Sequence, residues 1–577
     1  MLPDLLLDII CTLAVAAGTL LAGAPLAFGL VRSARPMTKL ALSFAAGYAL
    51  LSLAGIIAGV LGAAPWVGEL PVLLVGAALS LRYRENFSLD FDRQDIAVGC
   101  LSVIYVGICL VFFSAITMWM AGDAVAHASI IRMLLDGGEV PVSLYPFGSY
   151  WDYYPKGFHF FAAFWGGIFP VLNLVQTIPV LVTAITPVLV YSVVRELGRR
   201  EVAVFAFILA GFCFPAHYMY LIWAGYPSAA AEMLLVAAVL AVVVERRLLP
   251  LLVIGMAFTH TRYLAYLAVI LAVWLGIEYL RSHAAALRRY PLVLPLVIAA
   301  GVVAVVLYVP VHEPAFLLSL AGSKALAAEY VAQWFWALLS VFGFVVALYN
   351  RDRLDRLCIA WTIAIAAMFV FSDIGVLYYV ATPNRVLAQL YIPLSIFGAV
   401  ALAAMAAALP RARPVFALVL VFAGAAAMAV VLFTYAGAWA LPPEDSAAIE
   451  WLSEQNTTNM VCINLDETGA WVYPIAGVPV ARPRLVPGDT PYGYGVVQQM
   501  IRDPNSAKTL AALREAGDAL TVVYVSNISL SQPGYVPPFS EYSSVYPKIN
   551  PDFDAVNYET LYEDGAKIYK FRAAARG

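Results

Sequence analysis

The stretch WMAGDAVAHASIIRMLLDGGEVP, Trp119 to Pro141, turns polar directly after a long apolar segment. It puts Asp123 and His127 one helical turn apart, with Arg132 further along. Ile130, Ile131, Leu134 and Leu135 share one side, so AVAHASIIRMLLDGG predicts an amphipathic helix, ended by Gly-Gly and Pro141. The question is why an oily chain places an acid, an imidazole and an arginine there.

The 577 residues are 63% hydrophobic and 12% charged, with a mean hydropathy of +0.84. Soluble domains carry about 25% charged residues, and about 18–25 apolar residues cross a bilayer. The fold class is therefore a polytopic α-helical membrane protein. About fourteen spans are expected, at 5–31, 39–62, 68–82, 96–119, 172–194, 201–219, 227–244, 248–260, 262–281, 291–310, 331–349, 357–372, 386–409 and 414–438. The first lacks a basic leader and an early cleavage site, so it reads as a retained span. The six cysteines have no metal-type spacing, and no disulfide framework is expected. A net charge of -3 without a long basic run gives no sign of nucleic-acid binding.

The loops alternate in basic charge. One side holds nineteen Lys and Arg, in the groups Arg32 to Lys39, Arg82 to Arg93, Arg195 to Arg200, Arg246 and Arg247, Arg281 to Arg289, Arg351 to Arg356, and Arg411 and Arg413. The other holds five before the tail: Arg132, Lys156, Arg262, Lys324 and Arg385. The positive-inside rule makes the first side cytoplasmic. Both termini then lie outside the cytoplasm, which requires an even number of spans.

From about Leu441 the composition changes. PPEDSAAIEWLSEQ reads as a helix start, NSAKTLAALREAGD as a helix, and NMVCINL, TVVYVSN and AKIYKF as strands. The expected division is additional N-terminal spans over 1–95, a membrane core over 96–440 with an outer loop at 120–157, and a small extracytoplasmic α/β domain over 441–577.

The polar residues choose one side. His127, His159, His217, His260 and His312 fall at outer ends, and only His283 falls inside. Asp123, Asp152, Lys156, Arg262, Glu313, Lys324, Asp373, Asn384 and Arg385 join them. Ionisable groups at membrane depth are costly and line cavities or do work, so the pattern predicts a wet outer cavity and not a midplane pathway. Each residue also has a plainer reading. Asp123 is a good helix N-cap, His127 suits interfacial packing, Arg262 and Arg385 can snorkel to headgroups, and YPFGSYWDYYP can be an aromatic belt. His217 and His312 read as structural. The constellation carries more weight than any member. A carboxylate at the exit of a span can take a proton from an acceptor hydroxyl, and guanidinium groups facing the same cavity match phosphate geometry. A second amphipathic segment, KGFHFFAAFWGGIFP, is able to lie in the interface beside the first.

At this point the pattern resembles the GT-C superfamily of integral membrane glycosyltransferases. GDAVAHASIIRMLLDGGEVP and YYPKGFHFFAAFW are similar to that family's first large outer loop, with its acid and two juxtamembrane helices, and TPNRVLAQLYIPLSI to late spans whose Arg contacts lipid phosphate. AIEWLSEQ and YEDGAKIYKF are similar to its membrane-proximal outer domain. The resemblance covers roughly Ile96 to Phe571. It implies transfer of a sugar from a polyprenyl-phosphate-linked donor to a glycan, lipid or protein acceptor in envelope glycan biosynthesis, at the outer face of the plasma membrane. It implies Asp123 as general base and His127, Asp152, Tyr154, Lys156, His159, His260, Arg262 and Arg385 as substrate-binding candidates. Two features depart from the family. Three spans precede the one ending at Trp119, and no DxD or ExD pair occupies the Asp123 site. The latter puts divalent-metal dependence in doubt, although Asp123, His127 and Asp152 offer a borderline ligand set. No glycine-rich nucleotide fingerprint follows a strand. The alternative is a transporter or flippase of lipid-linked glycans, which would place polar sites near midplane in repeated halves. A non-catalytic scaffold would not need Asp123.

Overall fold

The structure is a computed structural model. It describes residues 2–82, 85, 87, 89–116, 118, 123–137, 154–283, 324–370, 383–408, 411, 413–481, 494–515, 520–532, 549 and 552–572. The span that leads to the opening stretch is α4, Arg93–Ser114, begun by a capping box in which the Asp92 carboxylate accepts from the Gln94 and Asp95 backbones. Before it come α1 (Leu2–Leu30), α2 (Pro36–Val60) and α3 (Pro65–Arg82). After it come two short helices, α5 (Ala124–Gly137) and α6 (Gly157–Gly166), at the positions expected for the two interfacial segments.

The bundle centre is α7 (Val171–Glu196) and α10 (Tyr226–Val244), both buried along most of their length. Between them α8 (Arg200–Ile208) loosens into a π turn at Leu209–Cys213, Phe214 becomes extended, and Pro215 starts α9 (Pro215–Ile222) at its first position. This break turns His217 and Tyr220 into the interior. The segment expected to span at 248–260 forms α11, Leu249–Thr259. Its 11 residues extend about 16 Å, roughly half the hydrocarbon thickness. His260 ends it in extended conformation, and α12 (Arg262–Ser282) begins at once. The later helices are α13 (Lys324–Asn350), α14 (Arg353–Val370), α15 (Pro383–Ala388), α16 (Tyr391–Ala408) and α17 (Arg413–Trp439). Among the described residues, nine helices are long and apolar enough to cross a membrane. The expected span at 291–310 lies outside the described residues.

Charge separates the two ends of the bundle. Asp92, at the start of α4, receives Arg195 and lies 3.5 Å from Arg200, while Arg199 pairs with Asp352 and Asp355 at 2.5 and 3.3 Å. These residues all come from the arginine-rich loops. α5 and α6, which carry His127 and His159, follow the other end of α4 in the chain, 22 residues or about 33 Å from its start.

The tail carries a four-stranded sheet of order β1-β2-β4-β3. β1 (Met460–Asn464) runs parallel to β2 (Leu520–Val525), and β4 (Ala566–Phe571) pairs antiparallel with β2 and with β3 (Tyr558–Asp564). Gly565 turns the last hairpin at φ 73°. Helices Pro443–Ser453 and Ala507–Glu515 stand where the sequence predicts them. The tail docks on the membrane part: the Leu441 N–H donates to the Met118 carbonyl at 2.8 Å. Arg132 of α5 reaches Gly477, where an added Cβ would stand 2.9 Å from the guanidinium.

Candidate functional site

Asp123 starts α5. The His127 N–H donates to the Asp123 carbonyl at 3.0 Å, which places Asp123 in the N-cap position. Asp123 is half-buried there. One turn on, His127 is buried, and its Nδ1 lies 2.9 Å from His159 Nε2 on α6. One ring nitrogen donates and the other accepts, according to tautomer. Burial, then His127 and Lys156, hold His159 well below the usual imidazole range, so it is neutral. Its Nδ1 meets no hydrogen-bond partner among the described residues.

The two short helices are brought onto α11 by a glycine. A Cβ on Gly157 would stand 2.7 Å from the Phe258 carbonyl oxygen, so only glycine lets α6 begin there. This close approach carries His159 towards His260. Tyr154 links the three imidazoles, with centroids 6.2 Å from His127, 6.0 Å from His159 and 5.9 Å from His260. Phe158 and Tyr226 lie 6.0 and 5.7 Å from His127 and complete an aromatic wall.

Positive charge enters from two further helices. Arg262 is the first residue of α12, two positions beyond His260. Arg385, on α15, stacks over the Trp223 ring at 5.0 Å, which holds a guanidinium by cation–π attraction. Both guanidinium charges act on His260. The structure thus brings His127, Tyr154, His159, His260, Arg262 and Arg385 into one region, with Lys156 close enough for its charge to act on His159. Asp152, His312, Glu313 and Asp373 lie outside the described residues. His217 is buried away from this wall, between Tyr391 and the Thr183 carbonyl, as its structural reading expects.

Sequence reading missed the floor of the region. Glu232 on α10 is buried, with Tyr220, Gln389 and Tyr391 hydrogen-bonded to its carboxylate and Tyr263 to Tyr220. It lies on the second turn of α10, so polar groups extend deeper than the helix ends alone. The signal was available: one carboxylate stands inside YPSAAAEMLLVAAVLAVVV. Trp223 and Tyr226 carried no signal beyond aromatic character.

Among the described residues, no group of three or more His, Cys, Asp and Glu side chains gathers to hold a metal. The ligand set of Asp123, His127 and Asp152 includes one residue outside them.

The sequence matches no protein-family model and no curated protein. Solved structures with a similar path of chain include the oligosaccharyltransferase of Archaeoglobus fulgidus in complex with Zn and sulfate, at 14% identity and a TM-score of 0.41, covering 74% of this chain and 68% of that one. The same enzyme tethered to an acceptor peptide containing the NVT sequon matches at 12% identity and a TM-score of 0.39, over 75% of this chain and 69% of that one. ArnT from Cupriavidus metallidurans in the apo state matches at 14% identity and a TM-score of 0.47, over 82% of this chain and 98% of that one.

Proposed function

We propose that this chain is a membrane glycosyltransferase of GT-C type, moving a sugar from a polyprenyl-phosphate-linked donor to an acceptor on the extracytoplasmic side. The observation that carries the reading is that Arg262 and Arg385 are held close together: Tyr263, next to Arg262, lies 3.0 Å from the Tyr220 hydroxyl, and the Tyr220 ring lies 5.6 Å from Trp223, on which Arg385 stacks at 5.0 Å. Two guanidinium groups beside apolar helices suit a phosphate attached to a lipid chain. The neutral His159 and its neighbours His127, Tyr154 and His260 offer hydrogen bonds to sugar hydroxyls without adding charge.

In the proposed step, the Asp123 carboxylate takes the proton of the acceptor hydroxyl or amide. The acceptor atom forms a bond to the anomeric carbon, the bond from that carbon to the phosphate oxygen breaks, and the electron pair leaves with the phosphate. Arg262 and Arg385 stabilise the charge that develops there. A divalent cation, if this chain uses one, would draw on Asp123, His127 and Asp152. The tail would close over the sugar from outside.

The test uses purified protein and an undecaprenyl-phosphate-linked radiolabelled sugar, with membranes of the source cell as acceptor. Transfer of label is expected, and Arg385→Ala raises the donor KM by about tenfold or more, with Arg385→Lys restoring part because the bidentate contact is lost. Movement of intact donor across a liposome without transfer would favour the flippase alternative. Unchanged donor affinity in both variants would remove Arg385 from the site.

A further inference from the structure

A buried polar cluster around Glu232 has no part in the chemistry above, yet it joins α9, α12 and the α15–α16 junction, which carry the proposed phosphate site. Glu232 of α10 is buried. One of its oxygens accepts from the Tyr220 hydroxyl at 2.9 Å and from Gln389 Nε2 at 2.7 Å, and the other accepts from the Tyr391 hydroxyl at 2.5 Å. Tyr220 also lies 3.0 Å from the Tyr263 hydroxyl. Tyr391 lies 3.0 Å from His217 Nδ1, whose other nitrogen donates to the Thr183 carbonyl at 2.9 Å.

The positions of these donors are informative. Tyr263 immediately follows Arg262. Gln389 follows Arg385 by four residues, about one turn, and Tyr391 by six. Tyr220 lies one turn before Trp223, the ring on which Arg385 rests. The carboxylate therefore ties together chain segments that are distant in sequence, alongside the Arg385–Trp223 stack and the Tyr220–Tyr263 contact. α12 brings Arg262, the α15–α16 junction brings Arg385, and α9 brings Trp223. In a low-dielectric interior such a network has well-defined geometry when fully satisfied and is costly when a member is left unpaired.

We infer that Glu232 is a positioning residue for the lipid-phosphate site, fixing the spacing of Arg262 and Arg385 through Tyr263, Gln389, Tyr391 and the Tyr220–Trp223 turn of α9. The inference rests on the reading of that site given above. It does not touch the substrate, and the hydrogen bonds, not the charge, are what it supplies.

That distinction is testable because the network tolerates one substitution. In Glu232→Gln the amide oxygen can accept from Tyr220 and Gln389, while the amide N–H donates to the Tyr391 oxygen and Tyr391 turns its own proton to His217. Glu232→Leu cannot do this: it removes the acceptor that Tyr220, Gln389 and Tyr391 share, leaving Tyr391 only His217 and leaving Gln389 and Tyr220 only each other and Tyr263. The probe is undecaprenyl phosphate without a sugar, its binding to the full-length protein in detergent measured by equilibrium retention of labelled lipid. Thermal unfolding is followed in parallel. Glu232→Leu is expected to weaken binding about tenfold or more in the folded fraction, the equivalent of one or two unsatisfied buried groups. Glu232→Gln is expected to stay within about threefold of wild type. A merely structural role would lower the unfolding temperature and leave the affinity of the folded fraction unchanged. Should Glu232→Leu fail to fold, Tyr391→Phe and Gln389→Met each remove a single donor and are expected to weaken binding severalfold. Wild-type affinity in Glu232→Leu, or in both of those milder variants, would overturn the inference, and so would a Glu232→Gln protein as weak as Glu232→Leu. Wild-type protein that binds no lipid phosphate would instead sink the phosphate-site reading, and this inference with it.

Discussion

His127 Nδ1 and His159 Nε2 lie 2.9 Å apart across the junction of α5 and α6, and this bond ties the helix that starts at Asp123 to the helix that faces His260. Removing the His159 ring leaves a buried His127 nitrogen without its partner. His159→Phe is expected to lower kcat/KM about tenfold or more, in line with about 1–3 kcal/mol for a buried unsatisfied group. His159→Gln places an amide where Nε2 stood and is expected to recover most of the loss. Steady-state transfer kinetics on both variants checks it, and equal activity of His159→Phe and wild type would separate this pair from the site.

Gly157 sets the distance between α6 and α11. A Cβ there would stand 2.7 Å from the backbone oxygen of Phe258, and backbone cannot yield as a flexible side chain can. Gly157→Ala is expected to destabilise the protein by about 1–3 kcal/mol through overpacking and to reduce turnover by shifting His159 from His260. Thermal unfolding and turnover of the purified variant test this together. A variant as stable and active as wild type would show that α6 has room to move.

The tail has a pH-sensitive acid outside the membrane spans. Burial pushes Asp445 up to about 7, with Asp466 adding to the rise against the hydrogen bonds from Tyr524 and the Asn527 backbone. The native tail thus keeps a proton that the unfolded chain releases near pH 3.9. Its contribution to stability is full below about pH 4, falls as pH rises towards 7, and levels off above, at up to about 1.4 kcal/mol per pH unit. The difference in unfolding temperature between wild type and Asp445→Asn, measured from pH 5 to 8, is expected to grow with pH in favour of the variant. A constant difference would mean that Asp445 is ionised in the native state throughout.

The nineteen-to-five bias of basic residues predicts a tail outside the cytoplasm. Glu454 is exposed on the tail. Glu454→Cys in a background without the native cysteines is expected to react with a membrane-impermeant maleimide in intact cells. Reaction only after permeabilisation would place the tail in the cytoplasm.

Much of this architecture was legible in the sequence because hydropathy and loop charge are local signals. The tail strands β1, β2 and β4 were readable from their β-branched and aromatic runs. β3 was not, since Tyr558–Asp564 is an acidic edge strand that shows burial at few positions. The break at His260 was legible, since the expected segments end at 260 and restart at 262, but the reading of 248–260 as a span was not matched by a helix of 11 residues, Leu249–Thr259. In the site, residue types could be named one by one, but not which of them meet. His127 and His159 are joined across a loop, and Arg262 and Arg385 come from helices far apart in the chain. Glu232 was visible as a lone acid in an apolar run, while its partners are set by tertiary packing. Glu69 on α3 carries the same signal, and there the structure gives a buried carboxyl with no hydrogen-bond partner among the described residues.

The central claim is that Asp123 takes the acceptor's proton, and one substitution isolates it. Asn caps a helix as well as Asp does, so Asp123→Asn keeps the start of α5 and removes only the base. The measurement is sugar transfer from the undecaprenyl-phosphate-linked donor by the purified variant, alongside donor binding and thermal unfolding. A folded protein that binds donor like wild type and transfers about 10²–10⁴ times more slowly is the expected result. A folded Asp123→Asn protein with near-normal turnover would contradict the account and leave Asp123 as a cap.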